Sequence, residues 1–347
     1  MNDKKIIREH FRELVFKRDK YKCVVPHCNK DAVDAHHIIE RALWNDEKEM
    51  GGYIVDNGAS VCELHHKHAE SNFIPPQALR QWAGIKQRVL PMQLNTDIYY
   101  DKWGVPLAFP NRTLVKYPHT RYLTFSPSND KSDVDECGFI QTEHLCDKPL
   151  VFTIKMDGSN VKMTSEIVTA RNGHSADHKS FDFIKARHSK FKHLIPEHIS
   201  VFGEWLYAKH SIHYTNNIAL NELIQVFGVY DYKTQLWYGW EDVEKFANSI
   251  GLKTVPVVGY NTYNNELNAS EHKGSKNNRI LNWNIEREIT KIGEDIISKG
   301  HEGLVIRSMY PFQWSQFGEN VGKFVRPNHV QTDKHWSKTA IVKNEVK

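Results

Sequence analysis

Residues 151–163 read Val-Phe-Thr-Ile-Lys-Met-Asp-Gly-Ser-Asn-Val-Lys-Met, an apolar, β-prone run that ends in one lysine, Lys155, and a turn-forming Asp157-Gly158 pair. Strand alternation puts Val151, Thr153 and Lys155 on one face and Phe152, Ile154 and Met156 on the other. The Asp-Gly step predicts a turn, after which Val161–Met163 is expected to pair back as the second strand of a hairpin. A lysine at the end of a rigid strand can act as a nucleophile when nearby cations or desolvation lower its pKa from about 10.4. The plain alternative is a hairpin lysine facing solvent.

Four segments downstream add chemistry in a fixed order. Val201–Tyr207 carries a single carboxylate, Glu204, in an apolar strand, and Val226–Asp231 brings Phe227. Glu302-Gly-Leu-Val-Ile-Arg307 opens with a carboxylate, and Gly322-Lys-Phe-Val-Arg326 supplies Lys323 and Arg326. With Lys155-Met-Asp-Gly158, this series resembles the nucleotidyltransferase motifs of the ATP-dependent polynucleotide ligase and mRNA-capping superfamily. Asn160 and Thr169-Ala-Arg171-Asn172 make it most similar to RNA ligases, and Lys116–Leu123 resembles the entry segment of their domains.

The resemblance implies an α+β domain, a ligase-type adenylyltransferase of antiparallel sheets with flanking helices around the nucleotide. It also implies the roles. Lys155 attacks the α-phosphate of ATP to give lysyl-AMP, Lys323 contacts that phosphate and depresses the Lys155 pKa, and Glu302 holds Mg²⁺ or Mn²⁺. Glu204 binds the ribose or the metal shell, and Phe227 stacks on adenine or else is ordinary core. Ile154 and Arg326 complete the nucleotide contacts, while Asn160 and Arg171 engage phosphates in the later steps. The last motif departs from the family pattern of lysines two apart, since Val325 follows Lys323 at that spacing and Arg326 comes one place later. Only 24 residues follow Lys323, so no appended OB-fold is expected, which favours an RNA ligase over DNA ligases and capping enzymes.

A second constellation lies between residues 21 and 70. Cys23-x4-Cys28 and Cys62-x2-His65 have the spacing of two zinc-ligand pairs, and together they predict one Cys3His Zn²⁺ site. Asp34-Ala-His-His-Ile38, then Asn57, then His66 resemble the HNH endonuclease ββα-metal motif, over about residues 8–80. That resemblance implies that His36 and His66 bind a divalent metal, that His37 deprotonates the attacking water and that Asn57 fixes the loop orienting His37. His65 stands where the family has a cysteine, and His68 is a rival ligand. A zinc module that only grips nucleic acid is the alternative to one that cuts.

At 347 residues the chain predicts two domains: an HNH-like zinc module at 1–90, a linker at 91–111 and an RNA-ligase-like domain at 112–347. The net charge of +4 is compatible with a nucleic-acid partner, RNA before DNA, and nine Lys or Arg against four Asp or Glu make the first thirty residues more basic than the rest. No membrane span or signal peptide is expected, so a cytoplasmic location is, and the five cysteines read as thiols or metal ligands; Cys137 and Cys146 have no ligand partner nearby in sequence. Helices are predicted at residues 4–20 (Ile7, Phe11, Leu14 and Val15 inward), at Gln77–Val89 and at Ile285–Lys299; surface loops are predicted at Ser126–Glu136 and Asn261–Asn278. The functional expectation is ATP-dependent joining of polynucleotide 5′-phosphate and 3′-hydroxyl ends, with HNH-type cleavage as an added activity. DNA nick sealing, or a nuclease with an inactive ligase-like scaffold, are the alternatives.

Overall fold

A computed structural model describes residues 2–107, 116–128, 137–146, 148–171, 178–215, 218–261, 275–327 and 341–347. The chain divides into two compact units, Met1–Phe109 with the short segments Thr234–Leu236 and Pro311–Gln313, and the remainder.

In the first unit, helix α1 (Asn2–Arg18) packs Phe11, Val15 and Phe16 with Ala35 into a small apolar cluster. Ile7, expected to face inward, is exposed, because the stripe that is buried runs through Phe11 and Val15. Strands β1 (Asp34–His37) and β2 (Gly58–Val61) pair antiparallel, Asp34 opposite Val61, and α2 (Glu63–Glu70) follows. Helix α3 (Pro76–Trp82) begins on its proline but stops seven residues short of the predicted end at Val89. Ala83 caps it and Gly84, at φ +65°, turns the backbone into the left-handed region.

Two sheets organise the second unit. The first has the order β11-β5-β12-β13-β3-β4, from Val257–Asn261 (β11), Leu150–Ile154 (β5), Gly303–Ser308 (β12), Val321–Val325 (β13), Arg121–Leu123 (β3) and Phe139–Ile140 (β4). Its pairs from β11 to β13 are antiparallel, whereas β13-β3 and β3-β4 are parallel. The second places β9 (Ile224–Asp231), β8 (Ile199–Trp205), β6 (Ser159–Met163) and β7 (Val168–Ala170) side by side, all antiparallel, with β10 (Lys253–Thr254) parallel to β9. Val151, Ile154, Val161, Val201, Val226, Leu304 and Phe324 of these strands share one apolar core with Ile285, Ile289 and Ile296 of the helix Ser275–Ser298.

The expected hairpin at Asp157-Gly158 does not form. β5 and β6 lie in different sheets, and β6 pairs with β7 and β8. Burial explains this: β5 is covered on both faces, so residues 155–158 carry the chain across from one sheet to the other instead of folding it back. Ser126 and Ser128, read as surface loop, are buried; Ser126 Oγ accepts a hydrogen bond from the Val325 amide at 2.9 Å. Most of the predicted loop at 261–278 and residues 129–136 lie outside the described residues, and the helix expected from Ile285 begins ten residues earlier, at Ser275. Among the described residues no helix is long and apolar enough to cross a membrane.

Candidate active site and metal clusters

Lys155 projects from the end of β5, its amide donating to Gly303 O at 2.9 Å. Its Nζ lies 2.8 Å from the Glu302 carboxylate, which is buried at the start of β12. Gly158 donates to Glu204 Oε1 at 3.1 Å, so the crossover loop brings both predicted carboxylates to the lysine. Only glycine fits there: a Cβ on residue 158 would lie 2.7 Å from Trp205 O. Asp157 is held from both sides, its amide donating to Tyr214 Oη and its carboxylate accepting from the Ile212 amide.

Burial alone would push the Lys155 pKa down, but Glu302, then Glu204 and Asp157, outweigh it and raise it. Burial raises Glu204 to about 8, with Glu302 and Asp157 adding and Lys155 and the Gly158 amide opposing. Asp157 also moves up, through burial and Glu302. Three carboxylates around one ammonium make a site that fits a divalent cation.

The Lys155 shift is upward and set by Glu302, Glu204 and Asp157, and Lys323 is not among its leading causes. Lys323 shares the face of Thr153 and Val305 two strands away, about 10 Å across the sheet, and its Nζ sits 3.8 Å over the Tyr122 ring and 3.8 Å from Cys137 Sγ. Cys137 Sγ also has His119 Nδ1 at 3.6 Å, and Cys146 Sγ points at Thr142 O. Removing the Glu302 charge should show which neighbour controls the nucleophile. Because a nearby carboxylate stabilises the ammonium, Glu302→Gln is expected to move the Lys155 titration to lower pH. The ¹³Cε shift of the labelled lysine reads this directly, and an unmoved titration would assign the upward shift to another group.

The other predicted contacts distribute as follows. Ile154 is buried opposite Leu304. Asn160 is opposite Glu204 on β8, with Oδ1 buried and without a hydrogen-bond partner among the described residues, and Arg171 is exposed just past β7. Phe227 occupies a β-bulge: Phe202 pairs with Gly228 and Gly203 with Val226, leaving Phe227 as the extra residue. Its half-buried ring meets Tyr117 edge-on at 4.7 Å. Arg326 donates its amide to Glu302 O, closing the strand row beside Lys155.

A family model described as RNA ligase matches residues 148–325, 178 of the 347 residues. The chain belongs to the RNA ligase family. No curated protein sequence matches this RNA ligase-family chain. Among solved structures it is similar to an archaeal ATP-dependent RNA ligase, at 16% identity over 61% of this chain and 48% of that one, with a TM-score of 0.38. It is also similar to Naegleria gruberi RNA ligase with PPi, at 14% identity over 79% and 72% of the two chains, with a TM-score of 0.34. The chain spans about half the length of the first of these.

The N-terminal unit of this RNA ligase-family chain holds two further clusters. Cys23, Cys28, Cys62 and His65 bring their ligand atoms within 4.8 Å of one another. His65 Nδ1 is 3.1 Å from Cys23 Sγ and 3.3 Å from Cys62 Sγ, and the Cys28 and Cys62 sulfurs are 3.9 Å apart. A tetrahedral Zn²⁺ with Zn–S near 2.3 Å needs sulfur–sulfur edges of about 3.8 Å, so these donors fit zinc.

His36, His66 and Glu70 form the second cluster, with His36 Nδ1 3.2 Å and His66 Nε2 3.3 Å from Glu70 Oε1. Glu70 was missed from sequence, although His66-x3-Glu70 is the i, i+4 spacing of one helix face. Lys102, also missed and almost wholly buried, reaches Glu70 Oε2 at 2.5 Å and Glu40 at 3.4 Å. Hydrogen bonding to His36 and Lys102 holds the Glu70 carboxyl far below its usual range, against burial. β1 alternation turns His37 to the opposite face from His36, where it stacks on Phe11 at 4.7 Å. Burial, with Arg41, drops its pKa to about 3, so it is neutral but a weak base. Asn57 bonds the backbone just after His37, accepting from the Ile39 amide and donating to Ile39 O and Gly52 O. His68 lies in neither cluster and packs on Phe73.

Proposed function

We propose that this chain is an ATP-dependent ligase that joins a polynucleotide 5′-phosphate to a 3′-hydroxyl, RNA before DNA, through an adenylylated Lys155. The observation that carries this reading is Lys155 at a strand end, 2.8 Å from buried Glu302 and beside Glu204. Lys155 Nζ, having lost its proton to water, attacks the α-phosphorus of ATP; a P–N bond forms and pyrophosphate leaves with the broken P–O bond. AMP then passes to an oxygen of the strand's 5′-phosphate, and the 3′-hydroxyl attacks that phosphorus and expels AMP. All three steps build negative charge on phosphoryl oxygens, so positioning and cations matter most. Glu204 takes the ribose hydroxyls, Phe227 and Ile154 the adenine, Lys323 and Arg326 the α-phosphate, and Asn160 and Arg171 the strand phosphates. A Mg²⁺ or Mn²⁺ held by Glu302, with Asp157 and Glu204 beside it, would neutralise charge on the α-phosphate.

The N-terminal unit is read as an HNH-like module at 1–90, a connector at 91–111 that contributes Lys102, and the ligase domain at 112–347. Cys23, Cys28, Cys62 and His65 hold a structural Zn²⁺. The approach of His36, His66 and Glu70 to one another favours a second activity, strand cleavage. These three residues hold a divalent ion, and His37, neutral on the opposite face of β1, would have to turn towards that ion to take the proton of the attacking water. One experiment tests both activities: matched RNA, DNA and hybrid nicks incubated with α-labelled ATP and Mg²⁺ or Mn²⁺. Protein labelling with sealing of the RNA nick is expected, together with cuts that vanish in His66→Ala. Sealing of the DNA nick alone would reassign the substrate, and cutting without labelling would make the ligase domain a scaffold.

A further inference from the structure

The segment 178–194 carries five Lys or Arg (Lys179, Lys185, Arg187, Lys190, Lys192) against one acid, Asp182, a net +4 that equals the net charge of the whole chain. Arg187 is taken up by a two-pronged pair with Glu222 at 2.6 Å. The four lysines make no ion pair among the described residues, and all are exposed. A charge run of this kind is usually a solvated helix face. One ring makes this one different.

Phe183, in the helix Asp182–Phe191, is 50% exposed while the helix buries Ile184, His188 and Phe191 on its other side. The ring is not loose. It lies nearly parallel to Trp205 and to Tyr207, at 6.0 Å and 17° from each, and those two stack on one another at 5.6 Å. Trp205 is fully buried, pairs with Ser159 and sits against Gly158, so the stack starts directly behind the crossover loop that begins at Lys155. At 100° per residue, Phe183, Ala186 and Lys190 fall on one face of the helix, with the small alanine leaving space between the ring and the last cation, and Lys179 stands in the short 3-10 turn Lys179–Phe181 just before the helix. From Phe183 to Lys190 is about 10 Å at 1.5 Å per residue, and the turn that carries Lys179 extends the basic surface beyond the ring, enough for more than one nucleotide of a strand.

We infer that this face is a binding site for the polynucleotide being joined: one base stacks on Phe183, and Lys179 and Lys190 meet the phosphates on either side. A rigid, half-exposed aromatic between cations is the arrangement by which proteins hold a strand without reading its sequence. The inference rests on the ligase reading, because it takes the bound strand to be the substrate of Lys155. Among the described residues, no hydrogen bond, ion pair or ring contact joins Phe183 or the two lysines to the residues assigned to ATP, so they act after the lysine is charged.

Three proteins decide it: wild type, Phe183→Ala and the double charge reversal Lys179→Glu/Lys190→Glu. Each is measured for binding of a fluorescein-labelled, 5′-phosphorylated RNA 20-mer and its DNA counterpart, and separately for Lys155 labelling by ATP without polynucleotide. The expected result is binding about 5- to 100-fold weaker in both variants, with labelling unchanged. The double variant should also show a shallower dependence on salt, having lost two phosphate contacts, whereas Phe183→Ala should keep the wild-type slope. Binding within twofold of wild type in both variants overturns the site. Loss of ATP labelling in Phe183→Ala also overturns it, since the ring would then be a prop for the crossover loop. If no wild-type labelling occurs, the ligase reading fails on its own, and the binding arms still report on the surface.

Discussion

Lys155→Ala is expected to abolish covalent labelling of the protein by α-labelled ATP while leaving the fold intact. The side chain is more than a quarter exposed at its tip, and its one strong partner is Glu302, so truncation removes an ion pair but opens no large cavity. The β5 ladder survives too, because the Lys155 amide, not its side chain, bonds Gly303. The loss should be complete, since no other amine replaces the atom that forms the P–N bond. Glu302, left without its partner, then sits buried beside Glu204 and Asp157, and part of that charge is expected to be relieved by proton uptake. A strand supplied with its 5′-adenylate already formed should still be joined, because only the first step uses the lysine as nucleophile. Persistent labelling of the 151–163 stretch in the variant would refute the assignment; failure to join the adenylated strand would mean that Lys155 also serves the last step.

Cys62→Ser is expected to unfold the first unit and spare the chemistry at Lys155. The cluster of Phe11, Val15, Phe16 and Ala35 packs α1 on β1, whereas the Cys23–Cys28 loop and the start of α2 are brought together at the zinc ligands, so losing the ion loosens the unit where β2 runs into α2. A structural zinc site contributes about 10–16 kcal/mol in small domains, and a whole domain is stable by about 5–15 kcal/mol, so losing the ion exceeds what the unit can spare. Wild-type protein should carry one zinc by elemental analysis and the variant none. Amide exchange over residues 34–61 should lose its protection while ATP labelling continues, given that the two constellations share no residue. Wild-type protein without zinc, yet fully protected over those residues, would sink the prediction.

Legibility from sequence followed the distance over which each feature is encoded. Lys155, Glu204 and Glu302 could be read because each stands alone as a charge in an apolar strand. Their convergence is visible only in the pairing of β5 with β12 and β6 with β8. The Asp157-Gly158 turn misled because a dipeptide specifies a change of direction and not the partner that follows; burial on both sides of β5 sent the chain to the other sheet. Glu70 was within reach, one helical turn after His66. Lys102 was not, since a lysine in a Pro-rich connector gives no sign that two distant carboxylates will bury it. The bulge at Phe227 is likewise a matter of register between β8 and β9, to which the residues of β9 alone are blind.

The order of strands in the first sheet has a consequence for the newly made chain. β5 lies between β11 and β12, both encoded later, and Glu302 follows Lys155 by 147 residues. At synthesis rates of about 5–20 residues per second, roughly 7–30 s separate the emergence of the nucleophile from that of its carboxylate. Both edges of the Lys155 strand are unpaired until Val257–Asn261 emerges, and the edge that β12 covers stays open until the end of that interval. On the proposed reading, a chain still short of residue 302 is expected to be inert towards ATP, and the first adenylate on Lys155 would mark the arrival of β12 beside it.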